Sequence, residues 1–258
     1  MSTLKHIVAA TVLTAATAVP GTAGAQTASV PKGVKNIVLV HGAFADGSSW
    51  AKIIPALHAK GLNVIAVQNP LTSLEEDVAA TKRAIALMDG PVLLVGHSYG
   101  GMVITEAGND PKVAGLVYVC ALVPNDGQSV TDVTKAFPPA PGSGEFRQDA
   151  SGFLSLSPKG IHEYFAQDLP AEDRQVLVAT QTPWAAKATV TKISTAAWKT
   201  RPSWFIIGTD DQMVPLALAR AEAQMINAKK TELNSSHIPM VSMPGKVTDI
   251  ILGAANEL

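Results

Sequence analysis

The chain has 258 residues, of which 47% are hydrophobic and 16% are charged, and its net charge at pH 7 is -1. This length and apolar content suit one globular domain with a sizeable core. The near-neutral charge, without a basic cluster, argues against a nucleic-acid partner. Cys120 is the only cysteine, which excludes an internal disulfide. No Cys/His spacing and no His-Glu-x-x-His motif predicts a metal, and no cofactor is expected.

The first 25 residues are typical of a secretory signal peptide. Lys5 supplies positive charge, residues 7–19 are apolar, and Ala23–Ala25 fits the small-x-small rule for cleavage. The apolar stretch is shorter than the roughly 20 residues that span a bilayer. We therefore expect residues 26–258 to be the mature protein, secreted or periplasmic in a bacterium and without stable membrane association. An uncleaved N-terminal anchor is the alternative.

The mature chain alternates predicted strands and helices. Short apolar runs bounded by turn residues predict buried strands, and longer periodic segments with capping residues predict helices. The predicted strands lie at 36–40, 62–67, from 92, at 113–122, 203–207 and 230–233. Five helices are predicted. The first runs from about 50 to 60 after the capping residues Ser48 and Ser49, and the second runs from a Ser73/Glu76 capping box to about 88. The others begin directly after Ser98, at Pro215 (to about 228) and at 244 (to about 256). This order predicts a mostly parallel sheet with helices on both faces.

The segment from about Pro124 to Arg201 differs from the rest of the chain. It is rich in proline, with several short helical patterns and no clear strand, so we expect an inserted cap of short helices. Its larger apolar side chains either line a substrate pocket or dock the cap on the core. These residues are Phe137, Phe153, Leu154, Tyr164, Phe165, Trp184 and Trp198.

Residues 92–102 contain the motif with the strongest chemical signal. An apolar run is followed by Gly96-His97-Ser98-Tyr99-Gly100, and apolar residues then continue at helical spacing. The pattern Gly-x-Ser-x-Gly also occurs by chance in loops, but a strand before it and a helix after it favour a nucleophile elbow. The helix N-terminus directs amides toward the serine, so the Tyr99 amide is a candidate oxyanion donor.

The loop after the first strand is the candidate for the second oxyanion donor. It reads His41-Gly42-Ala43-Phe44, and a strand that ends in His-Gly before the elbow is where such a donor is expected. The amide of Ala43 is our first choice and that of Phe44 the alternative. We interpret His41 as a residue that holds this loop by hydrogen bonding, rather than as a catalytic base.

Two later loops supply the candidates for a base and its orienting acid. Asp210 and Asp211 follow the strand at 203–207, and His237 follows the last predicted strand. A serine nucleophile needs a base to take its proton and a carboxylate to orient that base. An acid after an earlier strand, Asp126, is a further alternative.

The order serine, aspartate, histidine is that of the α/β-hydrolases, which the sequence resembles over essentially all of the mature chain. The resemblance is closest to small bacterial carboxylesterase-like proteins, similar to the plant methylesterase and hydroxynitrile lyase branch. The matching motifs are His41-Gly42-Ala43-Phe44, Gly96–Gly101, Gly208-x-x-Asp211-x-x-Val214-Pro215 and Ser236-His237-x-Pro239-Met240. The resemblance implies a catalytic triad of Ser98, Asp211 and His237.

The resemblance also implies an activity: a serine hydrolase that cleaves small to medium carboxylic esters through an acyl-enzyme, with Phe44 and Trp184 in the substrate site. Hydroxynitrile lyases carry threonine after the first-loop histidine and lysine after the catalytic histidine. This chain has Gly42 and Ile238 there, which favours hydrolysis. A cofactor-free haloperoxidase or perhydrolase, or a lyase, is the alternative on the same scaffold. The oligomeric state is not predicted.

Overall fold

The computed structural model describes residues 33–258, so the predicted signal peptide lies outside the described residues. The first half of this part alternates strands and helices. In chain order they are β1 (Asn36–Val40), α1 (Ile54–His58), β2 (Asn63–Ala66), α2 (Leu74–Ala86), β3 (Val92–His97), α3 (Gly100–Ala107) and β4 (Val113–Val119).

The segment between β4 and the next strand of the main sheet forms the cap. It contains the expected short helices and also three short strands that the sequence did not predict. Its elements are α4 (Val130–Thr134), β5 (Phe146–Gln148), β6 (Phe153–Leu156), α5 (Pro158–Gly160), α6 (Ala171–Ala179) and β7 (Trp184–Ala185). The strands form an antiparallel sheet in the order β5-β6-β7. They have two to four residues, and β5 is exposed throughout, so they lack the apolar alternation by which strands are recognised.

The chain then returns to the main sheet. The last elements are β8 (Ser203–Gly208), α7 (Leu216–Met225), β9 (Lys229–Leu233), α8 (Pro239–Ser242) and α9 (Pro244–Glu257). The main sheet has six strands in the order β2-β1-β3-β4-β8-β9, and every neighbouring pair is parallel. The predicted parallel α/β architecture is therefore confirmed.

The strand that leads to Ser98 lies in the middle of this sheet. All six residues of β3 are buried, and successive side chains of a strand point to opposite faces. Both faces of the sheet are therefore covered, with α3 and α9 both in contact with β3 and β4. Because parallel strands end at the same edge, the loops after β1, β3, β8 and β9 meet above their carboxyl ends.

Two local predictions about helix starts need correction. Ser48 and Ser49 do not cap a helix; they lie inside a 3-10 turn whose cap is Asp46, which accepts from the Ser48 amide at 2.6 Å. The α-helix begins only at Ile54. Ser73 does cap α2 by accepting from the Glu76 amide at 3.2 Å, but only this half of the predicted capping box is formed. A reciprocal capping box is formed instead in the cap, by Ser129 and Asp132.

Close packing at the start of α3 depends on glycine. A Cβ at Gly101 would lie 2.4 Å from the carbonyl oxygen of Leu122 and 2.9 Å from the Cβ of Ala121. The first of these contacts is with backbone, which cannot move aside cheaply. Helix α3 therefore approaches the end of β4 more closely than any other residue type would allow.

We predict that Gly101→Ala lowers the free energy of unfolding by about 2 kcal/mol through this overpacking. Gly253→Ala in α9 is the matched control, because a Cβ there meets no atom within 4 Å. That variant should be more stable by about 0.5–1 kcal/mol, since alanine is the better helix former. Urea denaturation measures both. Equal stability of the two variants would contradict the close approach.

Candidate active site

Ser98 lies at the apex of a tight turn between β3 and α3. Its φ is 53°, in the left-handed region that non-glycine residues rarely adopt. The turn is possible because its flanking glycines approach backbone atoms. A Cβ at Gly96 would lie 2.7 Å from the Gly100 oxygen, and a Cβ at Gly100 would lie 2.6 Å from the Val40 oxygen. This geometry directs the serine side chain away from the sheet.

Backbone hydrogen bonds hold Ser98 in this strained conformation. Its amide donates to the Val119 carbonyl at 3.1 Å. Its own carbonyl accepts from the amides of Gly101 at 2.9 Å and Leu122 at 3.2 Å. A left-handed residue costs on the order of 1–3 kcal/mol and persists only where its surroundings determine it. Here β4 and α3 together provide those constraints.

Ser98, His237 and Asp211 form one continuous chain of hydrogen bonds. His237 Nε2 lies 2.8 Å from Ser98 Oγ, and His237 Nδ1 lies 2.8 Å from Asp211 Oδ2. The histidine and the carboxylate are both buried. Since the carboxylate can only accept, Nδ1 carries the proton and Nε2 is left to accept from the serine hydroxyl. The other oxygen of Asp211 accepts from the amides of Met213 at 2.8 Å and Val214 at 2.9 Å.

The other two candidate acids take no part in this chain. Asp210 is exposed, and its carbonyl oxygen accepts from the Gln167 side chain at 2.6 Å. Asp126 is bonded to the Lys199 ammonium at 2.6 Å and to the Ala196 amide at 2.8 Å. The hydrogen bond from Lys199 lowers the pKa of Asp126 from its usual value. Asp126 therefore fastens the start of the cap to its end.

His41 holds the loop after β1, as the sequence predicts. Its Nδ1 donates to the Gly42 carbonyl at 2.8 Å, and its Nε2 accepts from the Asn69 amide at 2.9 Å. The Asn69 side chain also donates to the His41 carbonyl at 2.9 Å. Burial lowers the pKa of His41, so the ring is neutral at pH 7. Both of its nitrogens are occupied, which leaves no atom free to act as a base.

The amides of Ala43 and Tyr99 are available as donors beside Ser98. Both residues line the same cavity as the serine. Neither amide has a hydrogen-bond acceptor among residues 33–258. Phe44, whose amide is the alternative donor, has a φ of 63°, and this turn presents its ring to the cavity.

The cavity above Ser98 has a volume of about 430 Å³ and mostly apolar walls. Phe44 and Trp184 both lie in the wall, with ring centroids 6.0 Å apart in an edge-on arrangement. Of the cap residues that the sequence singles out, those in the wall are Phe137, Phe165 and Trp184. Those outside it are Phe153, Leu154, Tyr164 and Trp198. Trp198 instead donates to the Pro124 carbonyl at 2.8 Å.

Comparison with known proteins places this site in a family. A model of the alpha/beta hydrolase family matches residues 37–250. The chain belongs to that family. It is 30% identical over 252 residues to the alpha/beta hydrolase nvfD of Aspergillus novofumigatus, covering 86% of this chain and 96% of that one. The predicted family is therefore confirmed.

Several relatives carry the names of ester-cleaving enzymes. A pyrethroid hydrolase of Sphingobium wenxiniae is 27% identical over 259 residues, covering 86% of this chain and 88% of that one. Methylesterase 1 of Arabidopsis thaliana is 25% identical over 265 residues, covering 89% of this chain and 99% of that one. The crystal structure of polyneuridine aldehyde esterase has the same fold, with a TM-score of 0.72 and 22% identity over 86% of this chain and 99% of that one.

The hydrolase site includes polar residues that the sequence analysis missed. His97 donates from Nε2 to the His237 carbonyl at 2.8 Å, and the two rings lie 4.7 Å apart. Burial holds the pKa of His97 well below its usual value, so this ring is neutral. Asp168 of the cap accepts from the Ser236 amide at 2.9 Å. Both residues hold the histidine loop, but each depends on contacts between distant segments that no local pattern reveals.

Cys120 is a buried core residue, as expected, with a φ of 44°. Burial raises the pKa of its thiol well above the usual value, so it is not a thiolate nucleophile. Among residues 33–258, no group of three or more His, Cys, Asp or Glu side chains is arranged to hold a metal ion. None of the helices in that range has the length and apolar character that crossing a bilayer requires.

Asp77 is a buried carboxyl group behind the elbow. Its Oδ2 accepts from the Tyr99 hydroxyl at 2.8 Å, and its Oδ1 accepts from the Leu71 amide at 2.8 Å. Leu71 has a φ of 56°, and its carbonyl accepts from Ala185 next to Trp184. Burial raises the pKa of Asp77 to about 6, from an ordinary 3.8. Asp77 therefore connects α2, the elbow and the cap wall through one ionisable group.

We predict that Asp77 makes stability decrease as the pH rises from about 4 to about 6. The folded protein holds this proton more tightly than the unfolded chain, so the stabilisation is complete below pH 4 and is lost as the folded pKa is passed. Asp77→Asn cannot titrate; its amide oxygen can accept from the Leu71 amide as before, while its NH2 group would donate to the Tyr99 hydroxyl and so reverse that hydrogen bond. Between pH 4 and pH 7, the free energy of unfolding of this variant should rise by about 3 kcal/mol relative to that of the wild type, as measured by urea denaturation. Parallel curves for the two proteins would contradict the raised pKa.

Proposed function

We propose that this protein is a serine esterase that hydrolyses small to medium, uncharged carboxylic esters through an acyl-enzyme. The observation that carries the proposal is the unbroken chain from Ser98 Oγ through His237 to Asp211, which opens into an apolar cavity. Membership of the alpha/beta hydrolase family and the names of the relatives support it.

In the first half-reaction, Ser98 Oγ attacks the ester carbonyl carbon while His237 Nε2 takes the hydroxyl proton. The carbonyl oxygen becomes an oxyanion, for which the amides of Ala43 and Tyr99 are the donors. One such donor is worth about 3 kcal/mol of barrier. The intermediate collapses as the C–O bond to the alcohol breaks, and His237 hands its proton to the departing oxygen. In the second half-reaction, a water molecule attacks the acyl carbon and gives a proton to His237. The bond from the acyl carbon to Ser98 Oγ then breaks, His237 returns the proton to Oγ, and the carboxylic acid leaves.

Asp211 acts through His237. When the ring becomes an imidazolium, the buried carboxylate 2.8 Å away stabilises the positive charge and keeps Nε2 aimed at the serine. The amides of Met213 and Val214 hold the carboxylate in place.

The cavity walls support an uncharged substrate. Apart from His237, Lys135 is the one basic side chain in the lining within residues 33–258, and it is paired with Asp132 at 2.9 Å. A charged acyl group would lose its hydration without gaining a free partner. Aromatic rings offer apolar surface close to the reacting atoms. The ring centroid of Phe165 lies 5.2 Å from that of His237, and the ring centroid of Trp184 lies 4.8 Å from that of Tyr99.

The lack of room for a side chain at position 42 disfavours lyase chemistry. A Cβ at this position would lie 2.7 Å from Ser98 Cβ, so the threonine of the hydroxynitrile lyases does not fit without displacing the nucleophile. Ile238, where those enzymes have lysine, is buried among apolar side chains. No cation is therefore supplied at this position to stabilise a departing cyanide.

We further propose that residues 1–25 direct export and are removed, and that residues 26–258 act in the periplasm or the medium as one domain with a cap at about 124–201. The apolar stretch, the basic residue before it and the small residues at 23–25 support this. Cys120 is compatible with an oxidising compartment because it is buried and has no second cysteine to pair with.

We expect Ser98→Ala to abolish turnover of p-nitrophenyl butyrate and labelling by a fluorophosphonate probe. The variant keeps the backbone conformation and loses only the nucleophile, so its free energy of unfolding should stay within about 1 kcal/mol of the wild type. Release of p-nitrophenol and urea denaturation measure the two properties. Turnover near the wild-type rate in a folded Ser98→Ala protein would end the proposal.

Neighbouring aspartates provide a matched pair for the orienting acid. Asp211→Asn should lower kcat roughly 10³–10⁴-fold, because the amide no longer favours the Nδ1–H tautomer. Asp210→Asn, one residue away and exposed, should remain within about twofold of the wild type. Steady-state kinetics on the same ester measures both. An equal loss in the two variants would contradict the assignment.

A further inference from the structure

A second cavity lies beside the active-site cavity, between the cap and the loop after β1. Its volume is about 240 Å³. The cap side is formed by Leu169 and by Val176 and Leu177 of α6. Lys52 on the core and Asp173 on α6 face one another at its rim, 4.0 Å apart. None of the nine residues of α6 is buried, so the apolar side chains that this helix contributes to the cavity remain at least partly exposed.

Phe44 lies between the two cavities and forms the wall that separates them. It is the one residue in the part of the chain described here that lines both. On the active-site side, its ring packs against Phe146 at 5.3 Å and Trp184 at 6.0 Å. The other side of the residue faces the second cavity. The left-handed backbone of Phe44 determines where this ring points.

The position of Phe44 along the chain relates this wall to the reaction. It directly follows Ala43, whose amide is the proposed oxyanion donor. An ester carbonyl bound by that amide would lie beside the residue that lines both cavities. The ring therefore stands where a lengthening chain would leave the first cavity and enter the second.

We propose that the second cavity is an extension of the substrate site for the unbranched apolar chain of an ester, and that the Phe44 ring closes it. Phe44 is thus the residue that determines the longest chain the enzyme accepts. This inference rests on the proposed esterase function. The apolar walls of Leu169, Val176 and Leu177 suit an alkyl chain, which gains free energy with each methylene buried.

The test compares Phe44→Ala with Phe146→Ala. Both variants remove one phenyl ring from the active-site cavity, but Phe146 does not line the second cavity. Two substrate series cover the two ends of the ester: p-nitrophenyl esters of increasing acyl length, and butyrate esters of increasing alcohol length. In at least one series, Phe44→Ala should extend the accepted chain by about four carbons. For the first chain that the wild type rejects, kcat/KM should rise at least about tenfold.

Leu177→Trp provides a second, independent variant, because it fills the far cavity without touching the first. Alone, it should leave hydrolysis of the acetate ester unchanged. Combined with Phe44→Ala, it should abolish the gain on long chains, whereas any gain made by Phe146→Ala should persist. Such a reversal is not expected if Phe44→Ala merely loosens the site.

The outcomes separate this inference from the proposed function. If the variants hydrolyse short esters but Phe44→Ala extends neither series, or if Leu177→Trp fails to reverse the extension, the second cavity is not part of the substrate site. If the folded wild-type protein hydrolyses no ester, the proposed function itself fails.

Discussion

The left-handed turn at Ser98 is the constraint on which the rest of the site depends. It requires glycine at positions 96 and 100, close contact between α3 and the end of β1, and hydrogen bonds from the Ser98 backbone to β4 and α3. These contacts form only when the central strands pair in parallel register. The strain of the turn is therefore offset by the packing of the sheet, and the serine hydroxyl is held 2.8 Å from His237 before any substrate binds.

Burial controls the charge of the groups around that turn. His41 and His97 are neutral because burial lowers the pKa of each ring; both nitrogens of His41 are hydrogen-bonded to the backbone, and His97 is hydrogen-bonded through Nε2 alone. Glu222 is similar: its carboxyl group accepts from the Val123 amide at 2.7 Å where the chain enters the cap, and burial raises its pKa well above the usual value. Neither His41 nor His97 therefore adds a positive charge close to the hydrogen bond between His237 and Asp211.

The segment between β4 and β8 supplies part of the wall of the cavity above Ser98. Its contacts with the triad loops include two polar ones, in which Gln167 donates to the Asp210 carbonyl and Asp168 accepts from the Ser236 amide, and the packing of the Phe165 ring on His237. Some of its apolar side chains, among them Phe137, Phe165 and Trp184, also lie in the cavity wall. The same segment therefore contacts the loops that carry Asp211 and His237 and contributes to the cavity wall, so that a change in its packing would affect both.

The sequence by itself determined the parallel sheet, the elbow, the chain order of the candidate triad and the role of His41, because each is marked by a local pattern of apolar runs, glycines and turn residues. Only the tertiary structure decided between Asp211, Asp210 and Asp126. All three are aspartates in loops after strands, and they differ in whether the carboxylate points at His237. It also revealed Asp77, His97 and Asp168, whose partners are distant in the chain. The short cap strands and the cavity they enclose arise from packing between segments, which leaves no periodic trace along the chain.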